Sequence, residues 1–493
     1  MSQAKMAEKQ AKLAKNAVEH PEHRFTNLYS LMHWDYWIRQ SADTVLERPG
    51  SDTPGTDGQT KKAFKKVYEA EILSLVDTLK HKTYVPHPVR RTFIPKKNGD
   101  KRPLGIPALR DRIVQEALRA ILDPIYESDF CHKSYGFRKG RSTMDAIAMM
   151  MPMFNTSTKF YYIIEGDIRG YFDNVHHRKL LRILKQRIAD KDIIDLILKF
   201  LHAGVMDGGL FAETKAGVPQ GGVISPLLAN VYLHEFDKWA EARWEGSAYQ
   251  YQRNRQQGRG NYKMIRYADD FVIISNENIA GVRIVKQEVK EFLNMQLHLE
   301  LSEEKTKLTH LNDGFTFLGF HIQRVQSLGK WAVHLRPSAN AKDGIKAKIK
   351  DLTVGNDVMQ GEDAKLTELN TVLRGWAEYY RHTSLLEDIS AIASYASMRY
   401  LLWLRKKHKG VRKGQLIKAK TKVIYNVKRW VAKGIQGGKS FTVYLWSPTR
   451  NELKRTKYMR KGKEGFPHPY LSTNARTDTR EINCISRVSC CMT

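Results

Sequence analysis

Only four cysteines occur in 493 residues: Cys131 stands alone, and Cys484, Cys490 and Cys491 crowd near the last residue. With no paired C-x-x-C knuckles, a structural zinc module and a disulfide framework are both excluded as organising devices. Long apolar runs are missing as well. The most apolar stretch, Ala146 to Phe154, falls far short of the roughly 20 residues that cross a bilayer and carries Pro152. The N-terminal MSQAKMAEKQAKLAK lacks an apolar core and a small-residue cleavage pattern, so a protein of a bacterial or organellar cytoplasm is expected, not a secreted one. Acid is also short: 52 Asp plus Glu face 82 Lys plus Arg, a net charge of +30. That excess calls for a polyanion, and without a membrane span nucleic acid is the better candidate than an anionic lipid surface.

At about 150 residues per domain the length allows roughly three domains. Residues 1–20 alternate Ala, Lys, Glu and Gln at helical spacing and read as a polar helix or frayed tail. Leu28, Leu31, Met32, Trp34, Trp37 and Ile38 form the apolar stripe of a core helix. After the Pro/Gly-rich loop RPGSDTPGTDGQT comes a helix over about 61–80. Next, Asn98-Gly99 between two apolar runs signals a tight hairpin with a basic tip at Lys96, Lys97, Lys101 and Arg102. Further on, the pattern predicts helices over 110–125 and 178–201. The run from Phe160 to Ile164 is a buried strand leading to Asp167, YQYQRNRQQGRGN is a polar loop, and MIRYADDFVIIS is strand, turn, strand. A helix over about 282–295 and a strand pair around GFTFLGFHI close this part near residue 325. From about residue 341 the composition turns helical and basic. Between residues 401 and 465, 20 Lys plus Arg face two acidic residues, so over half of the excess charge sits in that stretch.

Asp167 at a strand end and Asp269-Asp270 in a hairpin turn carry the chemistry. Strands joined by helical crossovers can lie side by side, which would bring the three carboxylates to one sheet edge. Carboxylate oxygens are hard ligands that suit Mg²⁺, and two ions about 4 Å apart promote in-line phosphoryl transfer. The plainer role, capping a helix or shaping a turn, suits a lone Asp. It does not suit three acids in one buried turn, which are costly without cations.

The blocks IEGDIRGYFDNV, GVPQGGVISPLLANVYL, RYADDF, LSEEKTKLT and FTFLGF resemble, in order, the motifs of reverse transcriptases, closest to group II intron-encoded proteins. RFTNLYSLMHWDYWIRQ with PGTDG is similar to their N-terminal extension, and LRGWAEYYRH to their maturase, or thumb, domain. The resemblance covers about residues 20–445. It implies an α+β fold: a right-hand polymerase with fingers, a palm built on an antiparallel sheet and an α-helical thumb, followed by a basic C-terminal module. The expected divisions are a tail at 1–20, an extension and the start of the fingers at 21–84, and fingers and palm at 85–325. The thumb follows at 340–445, a DNA-binding region at 446–475 and an unassigned tail at 476–493.

The same resemblance implies roles for single residues. Asp167, Asp269 and Asp270 would hold two Mg²⁺ ions. Lys305 would protonate the leaving pyrophosphate, or be a plain surface lysine. Lys96 and Arg102 would clamp the triphosphate of a deoxynucleotide, and Gln220 would contact the nucleotide. Phe172 would bar a 2′-hydroxyl, because an apolar ring leaves it neither space nor partner. Arg138, Lys139 and Arg141 would meet template phosphates, and Phe317, Leu318 and Gly319 the primer end. Trp376, Tyr379 and Tyr380 read as thumb core, while Arg374 and Arg381 share a helix face that could touch RNA. Expected partners are intron RNA, target DNA, an RNA template with its DNA primer, and deoxynucleoside triphosphates. The oligomeric state is left open.

Many relatives continue into an endonuclease with paired cysteines and catalytic histidines. His468 and the terminal cysteines are spaced wrongly for one, so the expectation is no endonuclease and a primer such as a nascent strand. Two other readings stand beside this one: a maturase acting mainly as an RNA-binding protein, and a reverse transcriptase of retron or defence lineage.

Overall fold

The computed structural model describes Ser2 to Leu471 except residues 96–100, 155–157, 215, 328, 355–357, 385, 438, 449–452 and 454–465. The chain forms two compact units. One takes residues up to Leu308 together with the C-terminal segment containing Phe466–Leu471, and the other takes residues 309–459.

The first unit begins with helices α1 (Ser2–Glu19), α2 (Asp35–Glu47), α3 (Lys61–Lys66) and α4 (Tyr68–Lys80), then the hairpin β1 (Val89–Pro95) and β2 (Lys101–Ile106). The central helix α5 (Leu109–Asp129) is buried along nearly its whole length, charged residues such as Asp111, Arg112, Glu116 and Glu127 included, so each of these needs a partner. Its buried Glu116 is paired with Arg119 and Arg48. α1 is no loose tail. Met6, Leu13, Ala14 and Ala17 lie on one face and pack on α5, and Gln10 Nε2 donates to Ala120 O at 2.8 Å. Its alanines permit close helix approach, which polar composition conceals.

The hairpin predicted at Asn98-Gly99 is formed, with Ile94 opposite Arg102. Its tip, including Lys96 and Lys97, lies outside the described residues. After α6 (Thr143–Met150) and β3 (Tyr162–Gly166), the single helix expected over 178–201 is two, α7 (His177–Arg187) and α8 (Lys191–Leu201). Asp190 separates them: Oδ1 accepts from the Asp192 and Ile193 amides to cap α8, and Oδ2 accepts from Tyr29 N. The short strands β4 (Val205–Asp207) and β5 (Leu210–Ala212) extend the fingers sheet in the order β2-β1-β4-β5.

The buried helix α9 (Ser225–Trp244) follows, with Pro226 in its first turn. The expected polar loop is partly helical, α10 (Ala248–Gln256), begun by a capping box in which Ser247 and Gln250 bond each other's amides. β6 (Tyr262–Tyr267), β7 (Asp270–Ser275), α11 (Ile279–Leu297) and β8 (Lys307–His310) complete the palm. Its sheet order is β6-β7-β3-β8, with β7 antiparallel to both neighbours. Helices α9 and α11 pack against this sheet.

The compact units divide after Leu308, because the next strands pair among themselves. β9 (Phe315–Phe317), β10 (Phe320–Ser327) and β11 (Lys330–Pro337) form one antiparallel sheet. Helices α12 (Ala339–Val354), α13 (Glu362–Tyr379), α14 (Glu387–Lys407) and α15 (Lys413–Lys420) follow. The expected all-helical thumb then gives way to a meander of β12 (Thr421–Ile424), β13 (Val427–Gln436) and β14 (Lys439–Tyr444). Tyr425 and Asn426, both at positive φ, make its first two-residue turn. Trp430 anchors the sheet on α14 through Ser397 Oγ at 2.7 Å and the Tyr400 ring. α13 stops at Tyr379, so Arg381 lies beyond the helix and pairs with Glu378; the shared face with Arg374 is not formed. Among the described residues no helix is long and apolar enough to cross a membrane.

The packing of α1 predicts that Leu13→Ala costs about 2–3 kcal/mol in urea unfolding. Lys12→Ala, which loses only an exposed pair with Glu8, should stay within about 0.5 kcal/mol. Equal effects of the two would mean that α1 is not part of the core.

Candidate active site

The Tyr267 to Asp270 turn joins β6 to β7 with only Ala268 and Asp269 between the paired residues. β3 runs antiparallel beside β7 with Gly166 opposite Phe271, so Asp167, one residue later, emerges at the same sheet edge as Asp269 and Asp270. Gly166 is required here: a Cβ would stand 2.1 Å from the Phe271 ring. The loop after β3 is tied down, with Ser302 N donating to Asp167 O at 2.8 Å and Arg169 N to Glu300 O at 2.9 Å.

This edge is strongly negative. Crowding by protein pushes the Asp270 carboxyl up to about 7, and the charges of Asp269 and Asp167 add to the rise. Asp269 is raised by burial first, then by Asp167. Asp270 is nonetheless exposed to solvent. Two cations oppose the rise in both residues, Arg102 on β2 and Lys305, whose Nζ lies 3.1 Å from Asp167 Oδ2. Hard oxygen donors with surplus negative charge fit a divalent cation.

The turn itself is strained and clamped. Ala268 has φ +56, uncommon for a side chain with a Cβ. Arg266, fully buried, donates through Nη1 to Ala268 O at 2.8 Å and to Asn230 Oδ1 at 3.1 Å. Its other nitrogens hold both oxygens of Asp237 on α9. Burial alone would raise Asp237, but the Arg266 charge and hydrogen bonds pull it down to about 2. From the other side, Ser134 to Gly136 runs along β6: Arg266 N donates to Lys133 O and Tyr135 N to Arg266 O. A Cβ on Gly136 would sit 2.2 Å from Ala268 N, so only glycine fits. Neither Arg266 nor Asp237 was singled out from sequence. The available signal was a charge inside each of two apolar patterns, which burial permits only as a pair.

Phe172 is half-buried, edge-on to Tyr171 and to Phe137, and its carbonyl accepts from Val218 N at 2.7 Å. Gln220 O accepts from Gly105 N at 2.6 Å, tying the PQGG loop to β2, and Gln220 Nε2 reaches Asp173 Oδ2 at 3.4 Å. Gly221, at φ +115, admits this approach; a Cβ would lie 2.5 Å from Gly105 O.

The basic loop differs from expectation. Arg138 is 3% exposed; it grips Glu127 with two nitrogens at 2.8 and 2.9 Å and also donates to Cys131 O and Ser134 O. Arg141 lies over the Tyr135 and Phe466 rings, donates to His132 O, and is pushed down to about 10 by burial. Lys139 sits 4.9 Å above the Tyr470 ring. Arg138 and Arg141 are thus engaged within the protein, whereas Lys139 remains exposed to solvent. The covering residues come from the C-terminal segment, where His468 Nε2 meets Ser128 Oγ at 3.1 Å and Tyr470 OH donates to Asp123 Oδ2 at 2.6 Å.

In the second unit Leu318 and Gly319, both at positive φ, form the two-residue turn between β9 and β10. Phe317 and Leu318 are buried. Tyr379 OH donates to Leu318 O at 2.9 Å and Tyr380 OH to Gly319 O at 3.3 Å, while Trp376 and Tyr380 are buried as expected of core. Among the described residues one trio of possible ligands gathers within 4.8 Å, at Cys131, His132 and Glu241. Cys131 Sγ donates to Glu241, and the Lys133 ammonium is buried in the same small pocket, which disfavours a cation there.

Residues 94–322 match the family described as reverse transcriptase (RNA-dependent DNA polymerase), and residues 342–422 match the group II intron maturase-specific domain. The chain is 31% identical over 472 residues to the group II intron-encoded protein LtrA of Lactococcus lactis subsp. cremoris, covering 81% of this chain and 78% of LtrA. The chain belongs to the group II intron-encoded reverse transcriptases. Protein YkfC of Escherichia coli K12 is 41% identical to this reverse transcriptase over 340 residues, 65% of the chain and 89% of YkfC. The putative COX1/OXI3 intron 1 protein of Saccharomyces cerevisiae is 31% identical over 339 residues, 61% of the chain and 40% of that protein. The enzyme is therefore an RNA-directed DNA polymerase and maturase, with RNA and DNA as substrates and a role in intron splicing and mobility. Its family uses divalent metal ions. The maturase-specific match agrees with the group II intron reading made from the sequence.

The clamp on the turn gives a prediction. Asp237→Asn leaves the Arg266 charge buried without its counter-ion and should cost about 3–5 kcal/mol in urea unfolding. Asp237→Leu combined with Arg266→Met should recover most of that loss. If the double variant is as unstable as the single, the pair is not what determines the stability of this region.

Proposed function

We propose that Asp167, Asp269 and Asp270 hold two Mg²⁺ ions and that the surrounding residues receive a deoxynucleoside triphosphate opposite an RNA template. The observation that carries this reading is the convergence of three mutually repelling carboxylates at one sheet edge, within electrostatic reach of Arg102 and Lys305. Bound there, the ions would activate the primer 3′-hydroxyl and stabilise charge on the leaving pyrophosphate. Arg102, with Lys96 at the hairpin tip, holds the triphosphate. Lys305, which forms an ion pair with Asp167, gives a proton to the departing phosphate. Phe172 excludes the 2′-hydroxyl, and Gln220 reads the nucleotide from the loop tied to β2. The Phe317 to Gly319 turn supports the primer end through its backbone. Of the basic loop, exposed Lys139 meets a template phosphate, while the enclosed Arg138 and Arg141 are not carried forward as phosphate contacts.

The partners are the RNA of the enzyme's own intron, a DNA target, and the primed template. The basic stretch from 401 to 465 supplies sequence-independent phosphate binding. That same stretch favours the second reading, a maturase acting mainly through RNA binding, and one experiment separates the two.

Asp269→Asn with Asp270→Asn should abolish primer extension on an RNA template while leaving RNA affinity nearly unchanged. Retained synthesis would remove the metal assignment. Phe172→Ala should raise ribonucleotide incorporation relative to deoxynucleotide incorporation, and an unchanged ratio would make the ring a packing residue.

A further inference from the structure

Phe137 belongs to the Ser134 to Arg141 loop but behaves unlike its neighbours. It is 44% exposed and has φ +58, a left-handed conformation in which a bulky aromatic is an outlier. Such strain persists only where the surroundings over-determine it. Here they do so on both sides. Gly136 is pressed against Ala268 of the catalytic turn, and Arg138 is locked by Glu127, Cys131 O and Ser134 O. The Phe137 Cα is one peptide, about 3.8 Å, from the residue touching that turn. Its ring meets Phe172 edge-to-face, with centroids 6.3 Å apart and planes at 83°.

The loop therefore presents an apolar ring beside the acidic edge, while its two arginines are held within the protein, Arg138 on Glu127 and Arg141 over Tyr135 and Phe466. An apolar face beside a site that takes phosphates is suited to the nucleoside part of the same molecule. We infer that Phe137 is a specificity-determining residue whose ring, beside Phe172, forms a second wall against the sugar and base of the incoming deoxynucleotide. This rests on the role proposed above for Phe172.

The test is single-nucleotide extension of a DNA primer on an RNA template. Base stacking on one aromatic ring is commonly worth about tenfold in affinity, so Phe137→Ala should raise the KM for the deoxynucleotide about tenfold with a much smaller change in kcat. Phe137→Tyr, which keeps the ring, should restore the KM. Phe137→Gly removes both the ring and the left-handed strain. It should melt at or above the wild-type temperature yet show the same rise in KM, separating the effect from folding. An unchanged KM in the Ala and Gly variants would overturn the inference. So would a weaker primer–template Kd with KM unchanged, which would put the ring on the template strand. If Phe172→Ala leaves ribonucleotide discrimination intact while Phe137→Ala still raises KM, the gate reading falls and the wall remains.

Discussion

Arg266 and Asp237 are both withdrawn from water, and each is tolerable only because the other is there. Taking a guanidinium and a carboxylate into the interior costs several kcal/mol per ion, and a pair of bidentate geometry with further hydrogen bonds offsets that cost. The further bonds here run to Asn230 and to the carbonyl of Ala268. Asn230 in turn holds Gly136 O at 2.7 Å. One buried ion pair thus fastens α9, β6 and the 134–136 segment to the backbone of the turn that carries Asp269. The three clustered acids do not fix their own positions, since they repel one another, and the rigidity has to come from behind them. Because the Asp237 carboxyl sits near 2, its contribution is complete above about pH 4 and fades only as pH falls through 2.

Positive charge dominates the chain, yet at its working edge the balance is reversed. Among the described residues, Arg102 and Lys305 ease the ionisation of both Asp269 and Asp270. Their incomplete compensation leaves room for a cation of higher charge. In the neighbouring basic loop Arg138 is neutralised by the buried Glu127, which also lies 3.8 Å from Arg141. Placement, more than composition, separates the basic stretches from this acidic edge.

Much of this was legible in the residues. MIRYADDFVIIS alternates and breaks as a hairpin must, and Asn98-Gly99 flanked by apolar runs marks a turn wherever it occurs. Other parts were hidden for identifiable reasons. The strands from Thr421 to Tyr444 carry Lys at exposed positions such as Lys422, Lys428 and Lys433, so basic composition masked a period of two. The helical core contacts of α1 rest on alanines, whose small size matters only once α5 is known to lie beside them. Arg138 and Arg141 looked like phosphate ligands because sequence reports charge but not burial. Asp237 and Arg266 are 29 residues apart, and nothing local to either one shows that they meet.

The segment Phe466 to Leu471 lies against Tyr135, Ser128 and Asp123, so the unit that holds the three acids draws on chain both before and after the second unit. During synthesis everything up to Leu308 emerges first, and the whole second unit must then be translated before those contacts can form. Until that last stretch leaves the ribosome, Tyr135 and Arg141 stay uncovered next to the loop that braces the catalytic turn. The polymerase unit is consequently completed after the unit that follows it in the gene.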